Sequence, residues 1–210
     1  MQIYIIRHGE TALNAKGLLQ GITDEPLNRN GISLAAETGR NLRGITFDAC
    51  ISSPLTRARQ TAEILLRESG NEGVPIEFDD QIMELNCGEM ELSEPDTELH
   101  HEFFTNPLAF GGFPGGESIA QICERTQAFL SELIARDDGK IYLVSTHGCA
   151  LRAMLNPLYD DPSDFWHGKA PYNCVINIVE ANGGKAELIA DDKVFYDPAK
   201  AVDLYPLRGK

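Results

Sequence analysis

Basic residues are scarce: the chain of 210 residues has 18 Lys and Arg against 32 Asp and Glu, a formal net charge of -14. That balance argues against a nucleic-acid partner, because faces that bind a phosphate backbone need clustered cations. Long apolar runs are missing too. The run at the N-terminus, Ile3 to Ile6, gives way at once to Arg7 and His8, too short for a secretory core or a membrane span. A cytoplasmic protein with no membrane anchor is expected. Cysteines pair in no recognisable pattern: Cys50, Cys87, Cys123, Cys149 and Cys174 are odd in number and scattered, with no Cys-x-x-Cys to suggest zinc or a redox centre. Buried thiols in a reducing compartment, and no metal or other cofactor, are the expectation. Tandem repeats and low-complexity tracts are absent as well.

What is present is the composition of a globular domain, 42% hydrophobic and 24% charged, in a chain long enough to bury one sizeable core. Strand-length apolar runs at Ile3 to Ile6, Phe47 to Ile51 and Ile141 to Val144 alternate with amphipathic stretches of helical period. This rhythm predicts an α/β fold with a largely parallel sheet. One helix is expected from Gly31 to Leu42. A second should run from an N-cap and first-turn proline at Ser53-Pro54 to about Glu68, and a third from Glu117-Ser118 to before Gly139. Val175 to Glu180 and Lys185 to Ile189 flank Asn182-Gly183-Gly184, the signature of an antiparallel hairpin. The stretch from Met90 to Gly116 breaks the rhythm with prolines, glycine pairs, a short helical candidate at Glu98 to Phe104, and five acids without one Lys or Arg. It is read as a lid inserted, at about 90–116, into a single domain spanning 1–210.

Two strand candidates end alike, Ile3-Tyr4-Ile5-Ile6-Arg7-His8-Gly9 and Ile141-Tyr142-Leu143-Val144-Ser145-Thr146-His147-Gly148. In a parallel sheet, ligands bind beyond the carboxyl ends of the strands, so both imidazoles should face one pocket. Arg57, in the first turn of the helix after Ser52-Ser53, can project to the same edge, and with Arg7 it would bracket an anion. Two guanidinium forks and an imidazolium can balance a phosphate dianion. Arg59 is the rival, better read as a solvated surface charge. For a general acid and base, Glu84 is best placed, at the entrance to the lid, with Glu89 and Glu91 as alternatives and Asp79 and Asp80 as turn residues.

These residues resemble the histidine phosphatase superfamily, also called phosphoglycerate mutase-like. The resemblance runs in order through Arg7-His8-Gly9-Glu10-Thr11, Asn14, Gln20-Gly21, Pro26-Leu27 and Gly31; Ser52-Ser53-Pro54-Leu55-Thr56-Arg57-Ala58-Arg59-Gln60-Thr61-Ala62; Glu84-Leu85 with Gly88 and Glu91; Gly115-Gly116-Glu117-Ser118; and Thr146-His147-Gly148 with Arg152. It implies a three-layer α/β/α sandwich with a mostly parallel central sheet, an antiparallel edge strand and the inserted lid. It also implies His8 as nucleophile, Arg7, Arg57 and His147 as the phosphate pocket, Glu84 as acid and base, and Thr11, Asn14, Gln20, Gly21 and Gly148 in contact with substrate. Leu13 and Met90 replace tryptophans common among relatives, and Leu92 replaces a glycine; these departures bear on the pocket walls. Relatives that act as bisphosphate-dependent mutases carry a basic insertion after the catalytic glutamate, and the stretch from Met90 to Gly116 has no cation. Hydrolysis of a small phosphorylated metabolite by a monomer or homodimer is therefore expected, with Leu92, Phe103, Phe104, Phe110 and Phe113 as walls for an uncharged leaving group such as that of a ribazole-like phosphate. Phosphoglycerate interconversion and a non-catalytic phosphate-binding module are the alternatives.

Overall fold

The computed structural model describes residues 1–94 and 97–200. Six strands, β1 (Gln2–Arg7), β2 (Ala49–Ser52), β3 (Ile76–Phe78), β4 (Ile141–Thr146), β5 (Ile176–Asn182) and β6 (Lys185–Lys193), form one mixed sheet. Their order is β3-β2-β4-β1-β5-β6. The first four run parallel, and the β5–β6 hairpin joins β1 antiparallel. Of these, β3 is the strand the apolar pattern does not show: it has three residues at the sheet edge, two of them exposed.

Helices cover both faces, giving the three layers: α1 (Ala12–Ala15), α2 (Arg29–Asn41), α3 (Thr56–Ser69), α4 (Glu98–Thr105), α5 (Ile119–Ile134) and α6 (Gly148–Leu155). Side chains alternate across a strand, and each face of β1 meets a different helix pair. Tyr4 and Ile6 pack with Leu34 and Ala35 of α2 and Ala62 and Leu65 of α3. Ile3 and Ile5 pack with Phe129 and Leu133 of α5 and Leu151 and Met154 of α6. Burial on both faces is why β1 and β4 read as continuous apolar runs.

Helix α5 starts at the expected place, where Ser118 and Gln121 form a reciprocal capping box. Helix α3 does not. Its N-cap is Leu55, without a side-chain hydrogen bond, and Pro54 precedes the helix rather than opening it. Ser53 Oγ instead accepts from the Leu55 amide at 3.3 Å, before the helix begins, and meets His147 at 2.7 Å. The hairpin turns on Gly183 and Gly184, both at positive φ, as a two-residue loop between right-twisted strands requires. Strand β6 continues four residues beyond the expected Ile189 because Asp192 pairs with Asn177.

Register decides where the chemistry sits. Arg7 lies opposite Thr146 in the parallel β1–β4 pair, so His8 and His147 leave the sheet side by side. Gly31 lets α2 cross the Glu10 backbone at a distance that a Cβ would block. No helix among the described residues is long and apolar enough to cross a membrane.

Candidate active site

The two strand-end imidazoles lie with ring centroids 5.1 Å apart, and the hydrogen-bond partners of each define how it is protonated. Nδ1 of His8 is 2.7 Å from the Gly9 carbonyl oxygen, which can only accept, so Nδ1 carries the proton and Nε2 keeps its lone pair. For His147 the logic inverts. Arg57 Nε–H can only donate, and it reaches Nδ1 at 3.2 Å. The proton therefore sits on Nε2, which donates to Ser53 Oγ at 2.7 Å. Both rings are held well below the usual imidazole range, first by burial and next by Arg57, with Arg7 also acting on His8. His147 is thus a neutral imidazole in this arrangement, because a guanidinium already occupies its acceptor nitrogen.

Arg57 is wholly buried. It spends further donors on the Thr23 carbonyl at 2.8 Å and the Gly21 carbonyl at 2.6 Å, which ties the loop after Gln20 to α3. Burial lowers its pKa to about 10, and Glu84, Asp24 and Glu91 act against that fall, so it stays charged at neutral pH. Glu91 holds the same loop from outside by accepting from the amides of Gly21, Ile22 and Thr23. Glu91 is therefore engaged with backbone, and Glu89 is exposed. Arg59 pairs with Glu63 on the helix surface at 3.3 Å, as expected of a solvated charge. Arg7 donates to the Pro171 carbonyl.

Glu84 meets the N-terminus of α6. Its Oε1 accepts from the amides of Leu85 at 2.9 Å and Ala150 at 3.0 Å, and its Oε2 accepts from Cys149 at 3.2 Å. The segment carrying it is clamped by Arg125, which donates to the carbonyls of Gln81, Met83 and Glu84 and is paired with Glu117 at 2.7 Å. The glycine block before α5 signals Glu117, but nothing in the helical pattern of α5 marks Arg125.

A cleft brings Arg7, His8, Asn14, Gln20, Glu84 and Gly148 to one surface. Arg57 and His147, expected in the phosphate pocket, do not line the cleft: both are fully buried and bonded to each other, with the His147 ring beside that of His8. A Cβ on Gly148 would stand 3.3 Å from Arg7 Nε and 3.7 Å from Glu84 Oε2, so glycine keeps the space between the two groups open. Thr11 and Gly21 do not line the cleft. Thr11 is wholly buried, caps α1 and donates to Gln20 Oε1 at 2.7 Å, while Gly21 packs against Leu85 and Glu91. The walls are apolar: Leu19, Leu85, Phe103, Phe104, Trp166, Ala170 and Pro171. Of the five expected wall residues, Phe103 and Phe104 take part. Phe110 and Phe113 are buried behind them in the core, drawn in by ring contacts with Phe103. Leu92 is 46% exposed, and its φ of 66° is the left-handed conformation that favours glycine.

The chain is similar to known proteins over most of its length. A protein of Salmonella choleraesuis (strain SC-B67) described as probable phosphoglycerate mutase GpmB is 31% identical over 185 residues, covering 86% of this chain and 85% of that one. Among solved structures, Bacillus stearothermophilus YhfR superposes with a TM-score of 0.84 at 26% identity, over 92% of this chain and 97% of that one. Phosphoserine phosphatase from Entamoeba histolytica, solved with 3-phosphoglyceric acid, gives 0.78 at 25% identity, over 91% and 96%. The family model of the histidine phosphatase superfamily (branch 1) matches residues 3–191. With two histidines on adjacent strand ends, and a match across nearly the whole chain, this protein belongs to the histidine phosphatase superfamily (branch 1).

Proposed function

We propose that the protein is a phosphomonoesterase that hydrolyses small phosphorylated metabolites through a phosphohistidine on His8. One observation carries the reading: the bond from Nδ1 to the Gly9 carbonyl leaves Nε2 of a neutral, buried imidazole as the nucleophilic nitrogen, in the same cleft as Glu84. Nε2 attacks phosphorus while the ester P–O bond breaks and the leaving oxygen takes a proton from Glu84. Water then attacks the phosphohistidine, Glu84 accepts its proton, and inorganic phosphate and free His8 are restored. Oε2 is the atom suited to this traffic, since it accepts one backbone amide whereas Oε1 accepts two. Arg7 and Arg57 supply positive charge around the phosphoryl oxygens, the main requirement of a loose phosphoryl-transfer transition state. The reaction then needs no metal, and a chelator should leave the rate unchanged. Five free thiols fit a cytoplasmic setting.

Hydrolysis is favoured over a mutase reaction by the cleft walls. Among the described lining residues Arg7 is the sole cation, so none of them offers a second charge partner for a carboxylate or another phosphate. A mutase must hold both. Apolar walls suit an uncharged or aromatic leaving group, as in a ribazole-like nucleoside phosphate, or broad action on such esters. Assays with p-nitrophenyl phosphate and with 3-phosphoglycerate, with and without its bisphosphate, test this. Release of phosphate from the aryl ester is expected, while phosphoglycerate interconversion would establish the mutase and inertness toward all of them a binding module.

A further inference from the structure

Beside the nucleophile lies a side chain that the proposed mechanism does not use. Asn173, in the segment leading to β5, is 5% exposed. Its Nδ2 donates to the His8 carbonyl at 3.0 Å and to Asn14 Oδ1 at 3.4 Å. Both partners are acceptors, so the orientation of the Asn173 amide is determined. The backbone carbonyl of Asn173 accepts from the Tyr196 hydroxyl at 2.8 Å, and the next backbone amide, of Cys174, donates to the carbonyls of Arg7 and His8.

The consequence travels outward through a chain of amides. Asn14 Oδ1 receives both Asn173 Nδ2 and the Thr11 backbone N–H at 3.3 Å, so Asn14 Nδ2 must turn the other way, to 3.4 Å from Gln20 Oε1. Gln20 Oε1 also takes the Thr11 hydroxyl. Gln20 Nε2 is thereby left as a buried donor with no hydrogen-bond partner among the described residues. Asn14 and Gln20 both line the cleft, and this chain turns their N–H groups, not their oxygens, toward an anion. We infer that Asn173 is a positioning residue: one amide fixes the backbone of the nucleophile and sets the polarity of the Asn14–Gln20 pair as phosphate donors. The inference rests on the phosphatase reading.

Binding of inorganic phosphate, measured by calorimetry, and turnover of p-nitrophenyl phosphate separate the two ideas. Asn173→Leu removes both donors at similar volume and is expected to weaken phosphate binding and lower kcat/KM about tenfold, the loss of a hydrogen bond that supports a charged contact. Asn173→Asp sets a carboxylate oxygen against two acceptors, the His8 carbonyl and Asn14 Oδ1, and favours turning Asn14 around, so about a hundredfold loss is expected. In an Asn14→Ala background, Asn173→Leu should weaken phosphate binding by less than about twofold further, because the group it orients is gone. Losses that multiply in the double variant would show a merely structural role and overturn the inference, as would wild-type affinity and rate in Asn173→Leu. Should that variant fail to fold, Asn173→Ser keeps one smaller donor and should fall between it and wild type; wild-type behaviour there overturns the inference equally. Failure of the unaltered protein to bind phosphate would instead strike the phosphatase reading itself.

Discussion

The floor of the cleft is made from strand ends and the N-terminus of α6, whereas its aromatic wall is made from side chains on α4 and on the segment between α6 and β5. On the floor, backbone groups decide the chemistry: the Gly9 carbonyl sets the His8 tautomer, and three amides hold Glu84. On the walls, side chains hold one another. Trp166 meets Phe103 at 5.3 Å and Phe104 at 5.6 Å between ring centroids and donates from Nε1 to the Phe103 carbonyl. The wall side chain of Trp166 is thus held by the Phe103–Phe104 wall rather than by the nucleophile, so a change there should alter specificity more than reaction.

Four experiments press on that separation. The largest effect belongs to the floor: His8→Ala should abolish turnover and phosphoenzyme together, and phosphate release at the wild-type rate would end the mechanism. Glu84→Gln keeps the shape of the side chain but cannot shuttle a proton. Turnover should fall about a hundred- to ten-thousandfold with phosphate binding largely intact. A wall variant should behave otherwise. Trp166→Ala is expected to raise KM for aryl phosphates about tenfold through lost ring contact, while kcat/KM for a small aliphatic phosphate moves less than about twofold. Equal losses on both substrates would show that wall and floor are coupled. The smallest effect concerns pH. Only neutral His8 can attack, and its pKa lies well below the usual value, so the neutral form persists as the solution is acidified. Between pH 7 and pH 6 the kcat/KM attributable to this group should hardly change, where an ordinary imidazole of pKa about 6.5 would lose about two thirds.

Legibility in the sequence follows the same division. The strands β1 and β4 and both histidines are readable because burial on two faces leaves an unbroken apolar run, and a strand end is where a parallel sheet binds ligands. Arg57 is readable from its place in a helix that follows such a strand. Glu84 is not separable from Glu89 and Glu91 by pattern, because what distinguishes it is contact with α6, more than sixty residues on in the chain. Ser53 reads as a helix cap, but its hydroxyl is shared between the Leu55 amide and His147, a partner that only folding brings to it. Asn173 and Arg125 look like ordinary polar residues, since their roles depend on backbone carbonyls that only folding brings to them. Trp166 carries no local signal that would direct it to the Phe103–Phe104 wall. The segment from Asp191 onward is uninformative as sequence, yet Asp192 pairs with the buried Arg152 at 2.6 Å and Tyr196 donates to the Asn173 backbone carbonyl.

The most direct test of covalent catalysis at His8 is a rapid quench of the protein with a phosphomonoester carrying a labelled phosphoryl group, followed by mapping of the labelled peptide. An acid-labile, base-stable label on His8, formed and lost at rates that account for turnover, is the expected result. Turnover with no label, or with label on another residue, would contradict it.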